Sequence, residues 1–469
     1  MKAKQSNFAK VSIDLHGNKR KRETAPDGSK DENVFEISQG VSINLFVKSG
    51  QKRDGDLAKV YHYDLYGKRQ YKYDFLLNND LTTVPYREVF PTEPWFFISP
   101  KDFSNKSEYE KGFSVRNLFK RSATGIVSKR DNFTIHTNKE KLQRTITEFI
   151  KMDSETARRM FKLRNDVRDW SVENAQSFLR ESGMDFRNIT KILYRPFDYR
   201  FTYYHKKSRG FLAFPCYDIM KHIYRRDNVG IVLHRISSRE NSSYFGVFIS
   251  KFIIDLHLIR GGSYFFPLFL YADNNLEQNS TRDPNFNRLI INKIEDSLGL
   301  VFTNEKTDED KTFSSIDLLD YIYAVLHSPT YRTEYKEFMK FDFPRITFPN
   351  TNKDFWDLVL LGKRLRELHT MDSSLLNNLI TKFPIDGDNT VHRIRYSEGK
   401  VFINRSQYFE GVSPEVWEFY VANHQPVNKW LSDRKDVKLS YDDIMHYQKI
   451  VVAITETINT MDEIDEIIS

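Results

Sequence analysis

The stretch Asp14–Ile37, DLHGNKRKRETAPDGSKDENVFEI, places two glycines, a proline, a basic run and an acidic run in succession. Strand-like sequence flanks it, KVSIDLHG (Lys10–Gly17) before and GVSINLFVK (Gly40–Lys48) after, so it reads as a charged excursion between two neighbouring strands. In the second flank Val41, Ile43 and Leu45 fall on one face and Phe46 breaks the alternation. Near-continuous apolarity of that kind predicts a sheet covered on both faces. A third strand, KVYHYDLYG (Lys59–Gly67), follows. Almost no sheet sequence stands ahead of Asp14, which raises the question of why such strands come so early.

Downstream the periodicity changes. EPWFFISP (Glu93–Pro100) is strand-like, inside a mixed connector. KEKLQRTITEFIKM (Lys139–Met152) spaces Leu142, Ile146, Phe149 and Ile150 along one helical face. SVENAQSFLRESG opens at Ser171, a favoured N-cap, and ends at Gly183, a favoured C′ residue. From Ile192 the chain becomes aromatic and basic, ILYRPFDYRFTYYHKKSRGF. Pro196 biases Arg195 away from helix, so Arg-Pro-Phe-Asp reads as a turn and YRFTYYH as a strand. VGIVLHRI (Val229–Ile236), FGVFISKFII (Phe245–Ile254) and FFPLFLY (Phe265–Tyr271) add further strands. The last third is largely helical: SSIDLLDYIYAVLHSPTYRTEYKEFM breaks at Pro329, and DFWDLVLLGKRLRELHTM (Asp354–Met371) is amphipathic. VHRIRYSEGKVFIN (Val391–Asn404) reads as a hairpin turning near Glu398-Gly399. A closing helix starts at Ser440 with Asp443 three residues on, close to a capping box. Its seam of Ile444, Tyr447, Val451, Ile454, Ile458 and Met461 predicts packing onto the rest of the chain.

Composition narrows the function classes. With 39% hydrophobic and 14% aromatic residues over 469 positions, the chain is too apolar to stay disordered and long enough for two or three domains. Lys and Arg exceed Asp and Glu by 71 to 64, a balance that permits a polyanionic partner without requiring one. The single cysteine, Cys216, excludes an internal disulfide framework and a Cys-rich zinc site, and fits a reducing cytoplasm. The longest apolar run, YFFPLFLYA (Tyr264–Ala272), falls far short of a membrane span.

No sequence motif for nucleotide or metal chemistry is present. GxxxxGK[ST] and GxGxxG are missing, and Gly261-Gly262 are the only adjacent glycines. The acidic pairs Asp386/Asp388 and Asp442/Asp443 read as a loop and a helix start. The twelve histidines form no HExxH; His327 and His369 fall at helix ends, where the dipole favours a cation. Neither catalytic nor metal-binding residues are therefore expected. Basic clusters are the positive signal: NKRKR (Asn18–Arg22), HKKSRGF (His205–Phe211), YRRD (Tyr224–Asp227), LHRISSRE (Leu233–Glu240), GKRLRE (Gly362–Glu367) and HRIRY (His392–Tyr396). Most such runs are solvated surface. Between Arg195 and Arg239, however, arginines alternate with Tyr, Phe, Ser and His on expected strands and loops, a mixture suited to gripping phosphate or guanine.

At DLHGNKRKRETAPDGSKDENVFEISQGVSINLFVK the sequence resembles the region just after the catalytic core of bacterial adenine-specific DNA methyltransferases of the type ISP and type IIG restriction-modification enzymes. The likeness continues through ILYRPFDYRFTYYH, FFPLFLY, LLDYIYAVLHSPTYRTEYKEFMKFDFPRI and VFINRSQYF to NKWLSDRKDVKLSYDDIMHYQKIVVAITETINTMDEID, and so covers nearly the whole chain. VANHQPVNKWL departs from the pattern, since the family tends to have Gly-Tyr before Lys-Trp. In such enzymes an S-adenosylmethionine motif and an Asn-Pro-Pro-Tyr motif precede the DLHGN strand, and a target recognition domain follows. Neither upstream motif occurs here, and DPNFN (Asp283–Asn287) lies far downstream without the double proline.

The fold expected is α+β. Residues 1–75 would be terminal strands of a Rossmann-like methyltransferase sheet, 76–190 a mixed strand and helix connector, and 191–469 a target recognition region with a long C-terminal helix. The resemblance implies sequence-specific binding of double-stranded DNA, with the target adenine flipped for N6 methylation. It also implies a bacterial cytoplasm and a separate polypeptide with the catalytic motifs, which could also carry nuclease or helicase parts. S-adenosylmethionine would serve the complete enzyme, with no cofactor in this chain. Arg195, Arg200, Lys206, Lys207, Arg209, Arg235 and Arg239 are the residues expected to contact DNA. The alternative is a non-catalytic interaction or scaffold subunit, or a decayed fragment, without sequence-specific DNA binding.

Overall fold

A computed structural model describes every residue except 1–9, 20–22, 48–57, 92, 94–95, 235–245, 260, 273–280, 308, 310 and 469. The chain divides into a smaller unit, Met1–Ser104, and a larger one, Asn105–Ser237 with Asn241–Ser469. Residues 105–190, expected as a connector, thus share a unit with the region beyond them. Their helices feed the same hydrophobic core as the strands that follow.

In the smaller unit β1 (Lys10–Asp14), β2 (Ser42–Phe46), β3 (Val60–Asp64) and β4 (Arg87–Val89) form a mixed sheet in the order β2-β1-β3-β4. β1 is antiparallel to β2, with Asp14 opposite Ser42, and parallel to β3. The excursion after Asp14 therefore does join neighbouring strands. It is not a free loop. Lys72, on helix α1 (Arg69–Asn78), is fully buried; its Nζ donates to the carbonyls of Leu15 and Glu32 at 2.7 and 2.8 Å and pairs with Asp31 at 2.7 Å. The Asp31 carboxylate also accepts from the Gly17 and Gly67 amides. The expectation of a sheet covered on both faces fails at β2. Ile43 and Leu45 are exposed and Phe46 is 71% exposed, because β2 is an edge strand and alternation cannot distinguish an edge from an interior position.

The first part of the larger unit includes β5 (Ala123–Thr124), β6 (Ile135–His136) and helices α2 (Lys139–Lys151) and α3 (Val172–Glu181). α2 buries Leu142, Ile146 and Phe149 of the face read from the sequence, and in α3 Ser171 Oγ accepts from the Asn174 amide as the expected N-cap. Next come β7 (Ile189–Arg195), β8 (Asp198–Tyr203), β9 (Gly230–His234), β10 (Val247–Ser250), β11 (Ile253–Ile254) and β12 (Ser263–Pro267). They form two sheets, β11-β7-β8-β6 and β10-β9-β12-β5. FGVFISKFII is thus two strands in different sheets. No strand occurs among the described residues of EPWFFISP.

The helical third contains α4 (Ser315–Val325) and α5 (Asn352–His369), packed so closely at Gly362 that a Cβ there would lie 1.9 Å from the Asp320 carbonyl oxygen. Arg366 clasps the Asp320 carboxylate with two hydrogen bonds of 2.7 and 3.0 Å beside that contact. Burial pushes the Asp320 carboxyl up to about 6 despite this partner. A three-stranded sheet of β13 (Arg395–Ser397), β14 (Lys400–Phe402) and β15 (Tyr408–Glu410) follows, turning at Glu398-Gly399 as expected. The chain closes with α6 (Pro426–Ser432) and α7 (Tyr441–Ile468). Ser440 and Asp443 form the expected reciprocal cap, and Tyr447, Val451 and Ile454 are fully buried in the main core.

The dipole reading of His327 and His369 is overturned. Both rings are buried, and desolvation with the nearby Arg332 charge drives His369 down to about 3, so it is neutral. Its tautomer follows from its neighbours. The Thr457 hydroxyl donates to the Ala453 carbonyl and so accepts from Nε2–H at 2.8 Å, leaving Nδ1 to accept from the Tyr323 hydroxyl at 2.5 Å. Among the described residues no helix is long and apolar enough to cross a membrane.

Candidate nucleic-acid interface

The β7–β8 hairpin carries the first two arginines singled out by sequence. A register shift between Leu193 and Arg195 and a left-handed Phe197 (φ 63°) make the turn. Arg195 Nη1 donates to Asp255 Oδ1 at 2.7 Å and to the Tyr194 carbonyl at 2.5 Å. Arg200 binds Asp198 Oδ2 through Nε and Nη2 at 2.9 and 2.7 Å, and Arg434 Nη2 takes Asp198 Oδ1 at 3.0 Å. The Arg195 and Arg200 guanidiniums both lie over the Tyr194 ring, at 3.8 and 4.0 Å. Their side chains are only 11% and 13% exposed. Asp198 is fully buried, yet Arg434 and Arg200 outweigh the cost of desolvation and hold its carboxyl below the usual range. In this fold Arg195 and Arg200 tie the hairpin to Asp255 and to the segment after α6, rather than standing on the surface as expected.

Lys206, Lys207 and Arg209 do stand on the surface. Their loop is pinned from beneath: Trp170 Nε1 donates to the Phe211 carbonyl at 3.1 Å, the Arg209 amide donates to Ala213 O at 2.9 Å, and Phe211 and Leu212 are buried. The Lys207 amide donates to His205 Nδ1 at 3.1 Å. Arg209, at φ 56°, reaches Asp169 at 3.4 Å, whereas neither lysine has a carboxylate partner among the described residues. Arg235 and Arg239 lie outside the described residues.

Two cavities carry basic groups outside the residues expected to contact DNA. One, of about 510 Å³, is lined by Lys129, Arg130, Lys162, Arg164 and His257, with Asp131 and Asp255 among its acids. Asp255 there also holds Arg195, and burial raises its carboxyl. The other, of about 790 Å³, is lined by His392, Arg393, Arg395 and Arg405 with Asp388. HRIRY had signalled part of it; Arg405 stood alone in sequence.

Among the described residues, Asp14, His16 and Asp64 in the smaller unit bring ligand atoms within 4.8 Å of one another. Both imidazole nitrogens of His16 face carboxylates, Nε2 to Asp64 at 3.0 Å and Nδ1 to Glu23 at 3.3 Å. Burial opposes protonation of His16, but these hydrogen bonds prevail and lift it to about 9. A protonated ring between these carboxylates ties the segment after β1 to β3 through Asp64.

The chain belongs to the family described as Type ISP C-terminal specificity domain, which it matches over residues 117–463. Among solved structures it is similar to the ATP-dependent Type ISP restriction-modification enzyme LlaBIII bound to DNA, at 19% identity and a TM-score of 0.70, over 98% of this chain and 31% of that one. It is also similar to DrdV in a DNA complex (19% identity, TM-score 0.68, 98% and 47% covered). A third likeness is to a nuclease-deletion mutant of the Type ISP enzyme LlaGI with a DNA substrate mimic (18% identity, TM-score 0.65, 98% and 43% covered). At these identities the likeness is one of fold, and the chain spans 31–47% of those enzymes. Comparison with curated proteins gives no match.

Proposed function

We propose that this chain recognises double-stranded DNA sequence-specifically, as the specificity part of a restriction-modification enzyme that methylates adenine at N6. The observation that carries the reading is the span of the specificity-domain match, residues 117–463, across the unit that presents Lys206, Lys207 and Arg209 on a pinned loop. Arg195, Arg200 and Arg434 in that unit are neutralised by carboxylates; the exposed lysines are left for an external anion. The methyl donor, S-adenosylmethionine, belongs in this proposal to a catalytic segment bearing the Asn-Pro-Pro-Tyr motif, and no residue described here is assigned to it. Docking of that segment is supported by the exposed apolar side chains of β2 and Val47.

Selection from a random duplex pool is the test. Enrichment of a defined sequence containing adenine is expected; retention of all duplexes alike, or of none, favours the scaffold alternative. Mixing the chain with a polypeptide carrying the two catalytic motifs should then protect the amides of Val41–Val47 from hydrogen exchange and yield adenine methylation.

A further inference from the structure

The sheet β13-β14-β15 has two unlike faces. Val401 and Phe409 point inward and are fully buried, the Phe409 ring centred 4.2 Å from that of Tyr447 on α7. Strand alternation turns Arg395, Phe402 and Tyr408, which are register partners across the three strands, to the other face. Arg395, Phe402, Arg393 and Arg405 all line the 790 Å³ cavity. None of these three arginines has a carboxylate within 4.0 Å among the described residues, unlike Arg195, Arg200, Arg366 and Arg434, each of which has one. Among the described residues the one acid lining the cavity is Asp388, whose Oδ2 lies 4.0 Å from His392 Nε2; His392 Nδ1 faces Asp436 at 3.4 Å.

Solvated surface arginines would also lack partners, but two features show a site that is built. Arg395 lies over the Phe402 ring at 4.0 Å, which restrains its guanidinium against the sheet. The cavity floor is rigid. Gln407, 1% exposed, donates from Nε2 to Ile385 O at 3.0 Å and Asn389 Oδ1 at 2.7 Å, and its Oε1 accepts from the Asn389 amide and Asn404 Nδ2, both at 2.9 Å. Every hydrogen-bonding position of that amide is used. Gly387 rests directly on it: a Cβ there would fall 2.7 Å from Gln407 Cδ. The 385–389 loop is thereby clamped at fixed distance from the 402–407 segment, with the unpaired guanidiniums at the opening.

We infer that this cavity seats the sugar-phosphate backbone of bound duplex DNA, with Arg393, Arg395 and Arg405 on phosphodiester oxygens. The inference rests on the reading that the chain binds duplex DNA, and adds a contact beyond the Lys206–Arg209 loop. Guanidinium forks match phosphate oxygens in bidentate geometry, and an opening of this volume admits a nucleotide unit.

The test is fluorescence anisotropy of labelled duplex on the full chain over a range of salt, with thermal unfolding as a fold control. Arg405→Ala should flatten the log-log salt slope by about 1 and the double variant Arg393→Ala/Arg405→Ala by about 2. Arg405→Lys should keep the slope, because a lysine still neutralises phosphate, whereas a structural arginine would not be rescued. The loss should add to that of Lys206→Ala/Lys207→Ala. If the wild type binds duplex and the double arginine variant keeps its slope, the cavity assignment fails while DNA recognition stands. If the wild type binds no duplex, both fail. Titration with inorganic phosphate and with dAMP at constant ionic strength separates the sources of phosphate; saturable dAMP binding that duplex does not displace overturns the assignment to DNA.

Discussion

His369 lies between two hydroxyls, and its acid-base behaviour makes stability depend on pH. Its folded value of about 3 lies below the ordinary value of 6.5, so as pH falls the unfolded chain takes up the proton first. The contribution of the buried neutral ring is fully present above about pH 6.5 and declines towards pH 3, by up to about 1.4 kcal/mol per pH unit. Denaturant melts of wild type and His369→Gln should differ most at pH 7 and converge towards pH 4; a constant difference would contradict the assignment. Asp198 gives a second expectation at this scale. Asp198→Ala removes the shared buried partner of Arg200 and Arg434, leaving Arg200 with Asp433 at 3.3 Å, and should lower unfolding free energy by about 3 kcal/mol in denaturant melts. Such pairs were not legible in the sequence, because the partners stand 60 residues apart for Arg195–Asp255 and 236 apart for Asp198–Arg434. No periodicity links them, so arginines that hold the interior together read as part of a surface patch. The lysines at 206 and 207 were legible, since a turn with successive cations has few alternatives to solvent.

Local signals decided the elements that local physics controls. The caps at Ser171 and Ser440, the turn at Glu398-Gly399 and the apolar stripe of α2 each follow from neighbours within a few residues in sequence. What covers an element is a tertiary fact, so the openness of β2 and the division of FGVFISKFII between two sheets were not visible. Two measurements probe this scale. Ser440→Ala removes one half of the reciprocal cap on α7 and should lower stability by about 1 kcal/mol. Gly362→Ala should cost more, about 1–3 kcal/mol, because the added methyl meets backbone rather than a movable side chain and must drive α4 and α5 apart. A Gly362→Ala protein as stable as wild type would mean the two helices are free to separate there.

For the whole molecule the net excess of basic residues, +7, is modest, and position matters more than the total. Duplex binding should weaken with salt in proportion to the phosphates neutralised, and Lys206→Ala/Lys207→Ala should flatten the slope by about 2 if both reach phosphate. An unchanged slope, measured by anisotropy at several salt concentrations, would remove the loop from the interface. The Gln407 amide bears on how such a molecule changes over generations. It fixes the distance between two backbone segments without using any of the arginines around it, so the arginines can be exchanged while the frame stays the same. Under the reading proposed here, a lineage could alter its grip on DNA by replacing side chains at the rim, with no compensating change in the interior. Gln407 and Gly387 should accordingly tolerate far less variation than Arg393 or Arg405. A saturation-mutagenesis screen for folded protein would show the contrast as two intolerant positions among permissive neighbours.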